Sequence, residues 1–306
     1  MKKIMTMMLV ALVAVSAFAQ EQSKGDKFAP KKGDWALGIS INPVAAGGMS
    51  YQPGKGDFLG NYISGLAENP QQMYMPSQSV TSISFKKFIK DNLAFKAALG
   101  FSGSHLNYTE YVSDDLATYY DPLSEDVVED AITGNLGGGS LILGLESSLG
   151  KGWLRFVYGI DLVYTMGAGA LNFTYGNEIS VYNNYQPTTM GMTANGGKCN
   201  DYQASHLGID WARPGCRNNI GLVQQIGLRA EAGLEAFVYD RISVGLTASF
   251  LPVAFTWQGQ TWGQYEGFSE LSGRIETYNR LVSPGSSAVT YGTNSLGINI
   301  AVNYYF

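Results

Sequence analysis

The chain is poor in charge, in cysteine, in histidine and in long apolar runs, and each shortage excludes something. Only 15% of its 306 residues are charged and the formal net charge is −5. A general nucleic-acid binder needs a basic stripe to neutralise phosphates, so that class is set aside, and no nucleic-acid partner is expected. With two histidines and two cysteines, the supply of nucleophile, base and metal ligand is small. No G-x-S-x-G and no H-E-x-x-H occurs. The expectation is therefore a protein that is not an enzyme, with no catalytic residue, no cofactor and no bound metal. Disorder is excluded from the other side, because 45% hydrophobic and 12% aromatic residues can offset the entropy of ordering.

One long apolar run exists, at the N-terminus. Lys2 and Lys3 precede Ile4 to Val15, and the segment ends in Ala17-Phe18-Ala19. It is too short for a spanning helix and closes on small residues, so residues 1–19 read as a cleavable secretory signal, with a membrane anchor as the alternative. Export places Cys199 and Cys216 where thiols oxidise, and a disulfide closing a loop of roughly 18 residues, contributing about 3 kcal/mol, is expected. A metal site there is the alternative, with His206 as the one histidine between the cysteines.

What the chain has in abundance is glycine (38), tyrosine (19) and alternation. Leu296, Ile298, Ile300, Val302, Tyr304 and Phe306 share one face of an extended segment, opposite Ser295, Gly297, Asn299, Ala301, Asn303 and Tyr305. Residues 242–251 repeat the pattern. Six further segments fit it, at 35–43, 80–89, 92–104, 134–149, 152–169 and 220–238. Eight strands result, most of them long enough for the roughly 9 to 11 residues a tilted strand needs to cross hydrocarbon. Their connections alternate strictly. Tight turns fall around Lys90-Asp91, Gly150-Lys151 and Tyr239-Asp240-Arg241, whereas 45–78, 105–132, 170–219 and 258–290 are long. A two-residue hairpin at Gly150-Lys151 would place Glu146 opposite Arg155.

In a bilayer every lipid-facing amide needs an internal partner, so strands can cross only as a closed cylinder. The fold class expected is all-β, an eight-stranded antiparallel transmembrane β-barrel with short periplasmic turns and four long extracellular loops. A periplasmic lead at 20–34 precedes the barrel domain at 35–306. A soluble β-sandwich, which also alternates, is the competing fold. The terminal strand Leu296 to Phe306 and the turn Phe237-Val238-Tyr239-Asp240-Arg241-Ile242-Ser243 resemble those of the small outer-membrane β-barrels of Gram-negative bacteria, of the OmpA, OmpX and OmpW type. That resemblance covers the strand framework and leaves the loops unmatched. It implies a bacterial outer-membrane location, among membrane lipids and lipopolysaccharide. It also implies that Phe306 is the signal read by the barrel-insertion machinery.

If the apolar stripes face lipid, the opposite faces fill the lumen. Their charged residues are Lys86, Lys96, Glu146, Arg155, Asp161, Arg229, Glu231 and Glu235, which balance in sign. An eight-stranded interior is just wide enough for side chains, so these groups should pair and plug it. A selective pore would more naturally show a ring of one sign. The reading is a structural or surface-interaction protein. A narrow, porin-like channel for small solutes is the alternative, and a lipid-modifying enzyme using His105 and a surface serine is the third.

Specific binding should sit in the loops. Residues 105–132 carry Glu110, Asp114, Asp115, Asp121, Glu125, Asp126, Glu129 and Asp130 with no Lys or Arg, a solvated acidic loop or a divalent-cation bridge to lipopolysaccharide. Tyr62, Tyr74, Tyr175, Tyr182, Tyr185, Tyr202, Trp211, Trp257, Trp262, Tyr265 and Tyr278 populate the other loops. They suit an interfacial girdle and loop packing, or contact with an extracellular glycan or protein. Gly176, Asn177, Asn183 and Asn184 suggest that the third loop prolongs its strands as a hairpin.

Overall fold

The computed structural model describes residues 30–41, 81–150, 152–190, 197–198, 202–292 and 297–306. Residues 1–29, and with them the signal sequence and most of the lead, lie outside the described residues, as do Tyr62, Tyr74, Cys199 and the long connection at 45–78.

Period-two alternation becomes strand throughout. The described residues form β1 (Trp35–Ile41), β2 (Thr81–Lys90), β3 (Leu93–Ser113), β4 (Val127–Leu149), β5 (Leu154–Thr174), β6 (Gly197–Lys198), β7 (Ile209–Tyr239), β8 (Ile242–Gln258), β9 (Thr261–Ser269), β10 (Arg274–Ser283), β11 (Ser286–Tyr291) and β12 (Gly297–Tyr305). Two short helices, α1 (Asp115–Tyr120) and α2 (Tyr202–His206), and one 3-10 turn (Val181–Asn183) complete them. Eight strands close on themselves. Each is antiparallel to its neighbours in the circuit β1, β2, β3, β4, β5, β7, β8, β12, and β12 pairs back onto β1. A ring of this kind leaves no unpaired sheet edge along its wall.

The eight expected strands are these eight, but their lengths differ from expectation. β1 has seven residues, fewer than the range foreseen, whereas β3, β4, β5 and β7 have 21, 23, 21 and 31. Within the described residues, much of the connections 105–132, 170–219 and 258–290 is strand rather than open loop. The β3–β4 hairpin stays paired up to Ser113↔Val127, so most of 105–132 is strand capped by α1. β5 and β7 stay paired to Leu171↔Asn218, and β9 continues the sheet on β7. β10 pairs with β9, and β11 covers the upper half of β8. The strands of the third connection are thus prolonged, as expected. Its asparagines are not in the prolongation, because 175–190 leaves the sheet and packs beside it.

Two turns hold the expected residues, with Asp91-Asn92 between β2 and β3 and Asp240-Arg241 between β7 and β8. The third is a correction. Leu149 pairs with Phe156, so the last pair of the β4–β5 hairpin encloses six residues rather than two. Gly150 and Gly152 both sit at positive φ, +122° and +82°, a conformation open to glycine at little cost. The register slides accordingly, and Glu146 faces Gly159, not Arg155.

The polarity of the ring is reversed relative to a soluble protein. Leu37, Ile39, Ile83, Leu99, Phe101, Leu145, Ile160, Leu162, Leu228, Val302 and Tyr304 are exposed on the outer wall. The buried set of the ring includes Lys86, Lys96, Glu146, Arg155, Asp161, Glu231 and Glu235. On β5 the outward apolar row runs from Leu154 to Met166. At about 3.3 Å per residue and a tilt near 40°, it climbs roughly 30 Å. Past that level the outer wall turns polar. Beyond Phe101 the outward positions of β3 are Gly103, His105, Asn107 and Thr109, and beyond Met166 those of β5 become Ala168, Ala170, Asn172 and Thr174.

Candidate functional site

Of the eight charged residues foreseen for the inner faces, six meet in one group: Lys86, Lys96, Glu146, Asp161, Arg229 and Glu231. Lys96 projects from β3 into the centre, where its Nζ donates to Glu231 on β7. It stands 3.3 Å from Asp161 Oδ1 on β5 and 3.8 Å from Glu146 Oε2 on β4. Lys86 donates to the other oxygen of Glu146. Arg229 donates to Asp161 Oδ2 through Nε at 2.9 Å and Nη2 at 2.6 Å, and Nη2 stands 3.3 Å from Glu231 Oε2. Lys86, Lys96 and Arg229 thus share Glu146, Asp161 and Glu231 in one continuous array. Every ion faces an opposite charge, as burial in low dielectric demands.

Glycine makes room for this array. A Cβ on Gly144 would sit 2.0 Å from Asp161 Oδ1, and one on Gly159 would sit 3.2 Å from Glu231 Oε1. Both positions point inward beside a carboxylate, so the small residue here serves space rather than backbone freedom.

Glu235 and Arg155 lie nearer the turn end and do not join the array through hydrogen bonds. Glu235 Oε1 accepts from Ser243 Oγ, from Asn303 Nδ2 at 2.8 Å and from Tyr305 OH at 2.6 Å. One carboxylate therefore ties β7 to β8 and β12, the strands that complete the circuit. Sequence reading placed these three partners on the inward face but assigned them nothing. Arg155 is Glu235's register neighbour, yet its guanidinium lies over the Phe237 ring at 5.5 Å, and its Nε meets no hydrogen-bond partner. The pairing expected of Arg155 is thus a contact with an aromatic face.

Two small apolar clusters flank the array. Towards the turn end Ala36, Phe88, Ala94, Phe237 and Tyr305 form a buried cluster. Towards the other end Ala98, Ile142 and Val163 form a second. The second cluster draws on three neighbouring strands, and beyond it the inward positions Ser140, Thr165, Gln225 and Thr256 are polar and buried.

Above the apolar belt a second polar site is built from residues that sequence spacing could not connect. Asp130, with no exposed surface, accepts from Gly176 N through one oxygen and Met190 N through the other, both at 2.9 Å. Asp115 Oδ2 accepts from Asn183 Nδ2 at 2.8 Å and Thr188 N at 2.9 Å. Segment 176–190 is thereby pinned at both ends to the β3–β4 hairpin. Asn177 is buried and binds Ser113 O and Thr188 O through its amide nitrogen. Arg213 donates to Glu266 at 2.7 Å and to Asn177 O at 2.9 Å, and lies 3.9 Å over the Tyr175 ring. Tyr175 OH donates to Pro214 O at 2.7 Å. Burial holds that phenol well above its ordinary pKa, against the opposing pull of Arg213.

Several acidic residues of 105–132 are therefore structural caps rather than a solvated cluster: Asp114 accepts from the N-termini of α1, and Asp115 and Asp130 pin the neighbouring segment. Among the described residues no group of three or more His, Cys, Asp or Glu is arranged to hold a metal. His105 points outward and its Nδ1 lies 2.8 Å from Asn135 Oδ1. Of the loop aromatics, Tyr175 and Tyr278 pack inward, Tyr185 stacks on Phe268 at 3.6 Å, and Tyr265 stacks on Tyr278. Trp262 and Tyr182 stay exposed. Cys199 lies outside the described residues.

No family model matches the sequence, and no curated protein does. Among solved structures it is similar to the outer membrane protein OprG from Pseudomonas aeruginosa, at 10% identity over 91% of this chain and 98% of that one, with a TM-score of 0.33. It is also similar to Ail, the attachment invasion locus protein of Yersinia pestis, at 8% identity over 90% of this chain and 99% of that one, with a TM-score of 0.32. Such likenesses are too distant to carry residue roles or activities, so the weight falls on the strand pairings and their polarity. An antiparallel ring of eight strands, charged within and apolar without, gives this chain the general architecture of the Gram-negative outer-membrane β-barrels.

Proposed function

We propose that the chain is an outer-membrane β-barrel protein that acts at the cell surface, as a structural or surface-interaction protein, with a lumen plugged by its own ion pairs. The observation that supports the closed lumen is the mutual pairing of Lys86, Glu146, Lys96, Glu231, Arg229 and Asp161 in one buried array reaching across from β2 and β3 to β7. A conducting path needs water or mobile charge along its length. Here the charges are held fixed by one another, which supports a closed lumen.

The outward row of roughly 30 Å suits the apolar band of about 25 Å that such barrels present to lipid. On this reading the three tight turns face the periplasm. The prolonged strands, α1 and segment 175–190 form an ordered extracellular cap. Residues 1–19 export the chain, Phe306 addresses it to the insertion machinery, and lipopolysaccharide and membrane lipids surround it. The chain is not an enzyme. Its rigid cap, not its lumen, meets a glycan or protein partner.

Planar-bilayer recording on the refolded chain tests the closed lumen. The expected result is a flat baseline. Steady single-channel steps, altered by Lys96→Met, would establish the narrow channel instead. Comparison of boiled and unboiled samples in detergent gels tests the barrel itself, and identical migration would count against it.

A further inference from the structure

The tip of the β3–β4 hairpin carries apolar surface that nothing in the described structure covers. None of the six residues of α1 is buried. The helix is held from its polar side: Asp115 N donates to Asn177 Oδ1 at 3.0 Å, and the Asp115 carboxylate takes Asn183 and Thr188. Those bonds leave Leu116, Tyr119 and Tyr120 facing solvent, beside Val181 and Tyr182 of the 3-10 turn and the 88%-exposed Leu123.

The three tyrosines make one aromatic unit. Their ring centroids lie 5.4 Å (Tyr119–Tyr120), 5.1 Å (Tyr119–Tyr182) and 6.2 Å (Tyr120–Tyr182) apart. Tyr119 and Tyr120 nevertheless keep 57% and 71% of their surface exposed. Tyrosines braced against one another offer large contact area with little side-chain entropy left to lose, the property of a contact surface rather than of a core.

The chain on either side of these tyrosines is acidic, and that charge selects the occupant. Asp121 follows Tyr120, Glu125 and Asp126 follow Leu123, and Glu178 precedes the 3-10 turn, while no Lys or Arg occurs between 105 and 132. Among the described residues none of these four carboxylates takes part in an ion pair. A neutral glycan would use the rings and leave the charge idle. A second copy of the chain would set one negative rim against another, at a cost. A basic polypeptide uses both, placing guanidinium or ammonium groups over tyrosine faces and beside carboxylates.

We infer that Tyr119, Tyr120 and Tyr182, with the surrounding carboxylates, form a docking surface for an Arg- or Lys-rich polypeptide segment. This deepens the surface-interaction reading and rests on it.

The test uses the full chain refolded in zwitterionic micelles and a fluorescent peptide alternating Arg with Gly, against a control alternating Glu with Gly. The Arg peptide should bind and weaken about tenfold between roughly 50 and 300 mM salt, as screening shortens the Debye length. Tyr119→Ala/Tyr120→Ala should lose about tenfold at every salt concentration, and Glu125→Gln/Glu178→Gln should lose mainly the salt-sensitive part. The Glu peptide should not bind. Arg-peptide binding unchanged in both variants would overturn the inference. So would Tyr119-dependent binding of maltoheptaose, or Tyr119-dependent self-association seen by sedimentation, in place of peptide binding. Gel migration of the same samples separates the two failures. A barrel that still shifts on boiling while the variants bind normally removes only the docking surface, whereas loss of the shift in the unaltered chain removes the barrel.

Discussion

Lys96 on β3 donates to Glu231 on β7 with β4 and β5 standing between them in the wall, so this ion pair crosses the lumen instead of following it. Cross-lumen bonds resist the flattening of the ring as well as the parting of neighbours. Lys96→Met would leave Glu146, Asp161 and Glu231 sharing two cations, and breaking one member of such a buried set costs about 3 to 5 kcal/mol. The expected outcome is a clear fall in the temperature at which the unboiled gel species converts to the boiled one. Adding Glu231→Gln should recover part of the loss, because one charge of each sign is then gone. A double variant as weak as the sum of the two singles would contradict the pairing.

Ile160, midway along the outward row of β5, is 67% exposed. In water such a residue would be indifferent to charge, but at the midplane of a bilayer arginine on this face costs about 2 to 4 kcal/mol. Ile160→Arg should therefore lower folding stability in lipid vesicles by that amount, while Ile160→Leu leaves it unchanged. Equal stability of the two, measured by denaturant titration of vesicle-folded protein, would mean that the outer wall does not meet hydrocarbon.

Asp130 holds segment 176–190 by both carboxylate oxygens. Hydrogen bonds to a charged group contribute about 1.5 to 3 kcal/mol each. Asp130→Ala removes two and leaves Gly176 N and Met190 N without those acceptors. Protease should then cut within 176–190 at least tenfold faster, with the boiled and unboiled gel species still distinct. Mass spectrometry of the fragments reads the result. Equal cutting rates in variant and parent would show that the segment is held by other contacts.

The ring was legible because each of its strands separates two solvents. Lipid on one side and lumen on the other force a period of two, so Ile160 and Asp161 announce their faces without any partner being known. The prolonged strands were not legible for the same reason in reverse. At Asn107, Thr109 and Glu110 both sides of β3 are polar, and alternation carries no signal. Faces were readable where partners were not. A two-residue turn puts Glu146 opposite Arg155, whereas the turn with Gly150 and Gly152 at positive φ encloses six residues and puts it opposite Gly159. Asp130 and Gly176 lie 46 residues apart, with no spacing rule to link them.

Tyr175 supplies the pH test of the cap. Its hydroxyl donates to Pro214 O, and burial raises its pKa above the ordinary phenol value. A folded-state pKa above the unfolded one means that the fold binds the neutral form more tightly. This contribution is fully present below about pH 10, the unfolded tyrosine value, and is lost as pH rises beyond it. The cap should therefore keep its protease resistance through neutral pH and loosen in strong alkali, and Tyr175 should be among the tyrosines that ionise late in a titration followed at the phenolate absorbance. Tyr175→Phe keeps the ring under Arg213 but removes the titrating group and its bond to Pro214. It should remove one late-ionising phenol from the titration and weaken the cap by about 1 kcal/mol at neutral pH, the ordinary net worth of one hydrogen bond. A late phenolate amplitude equal in variant and parent would contradict the burial of Tyr175.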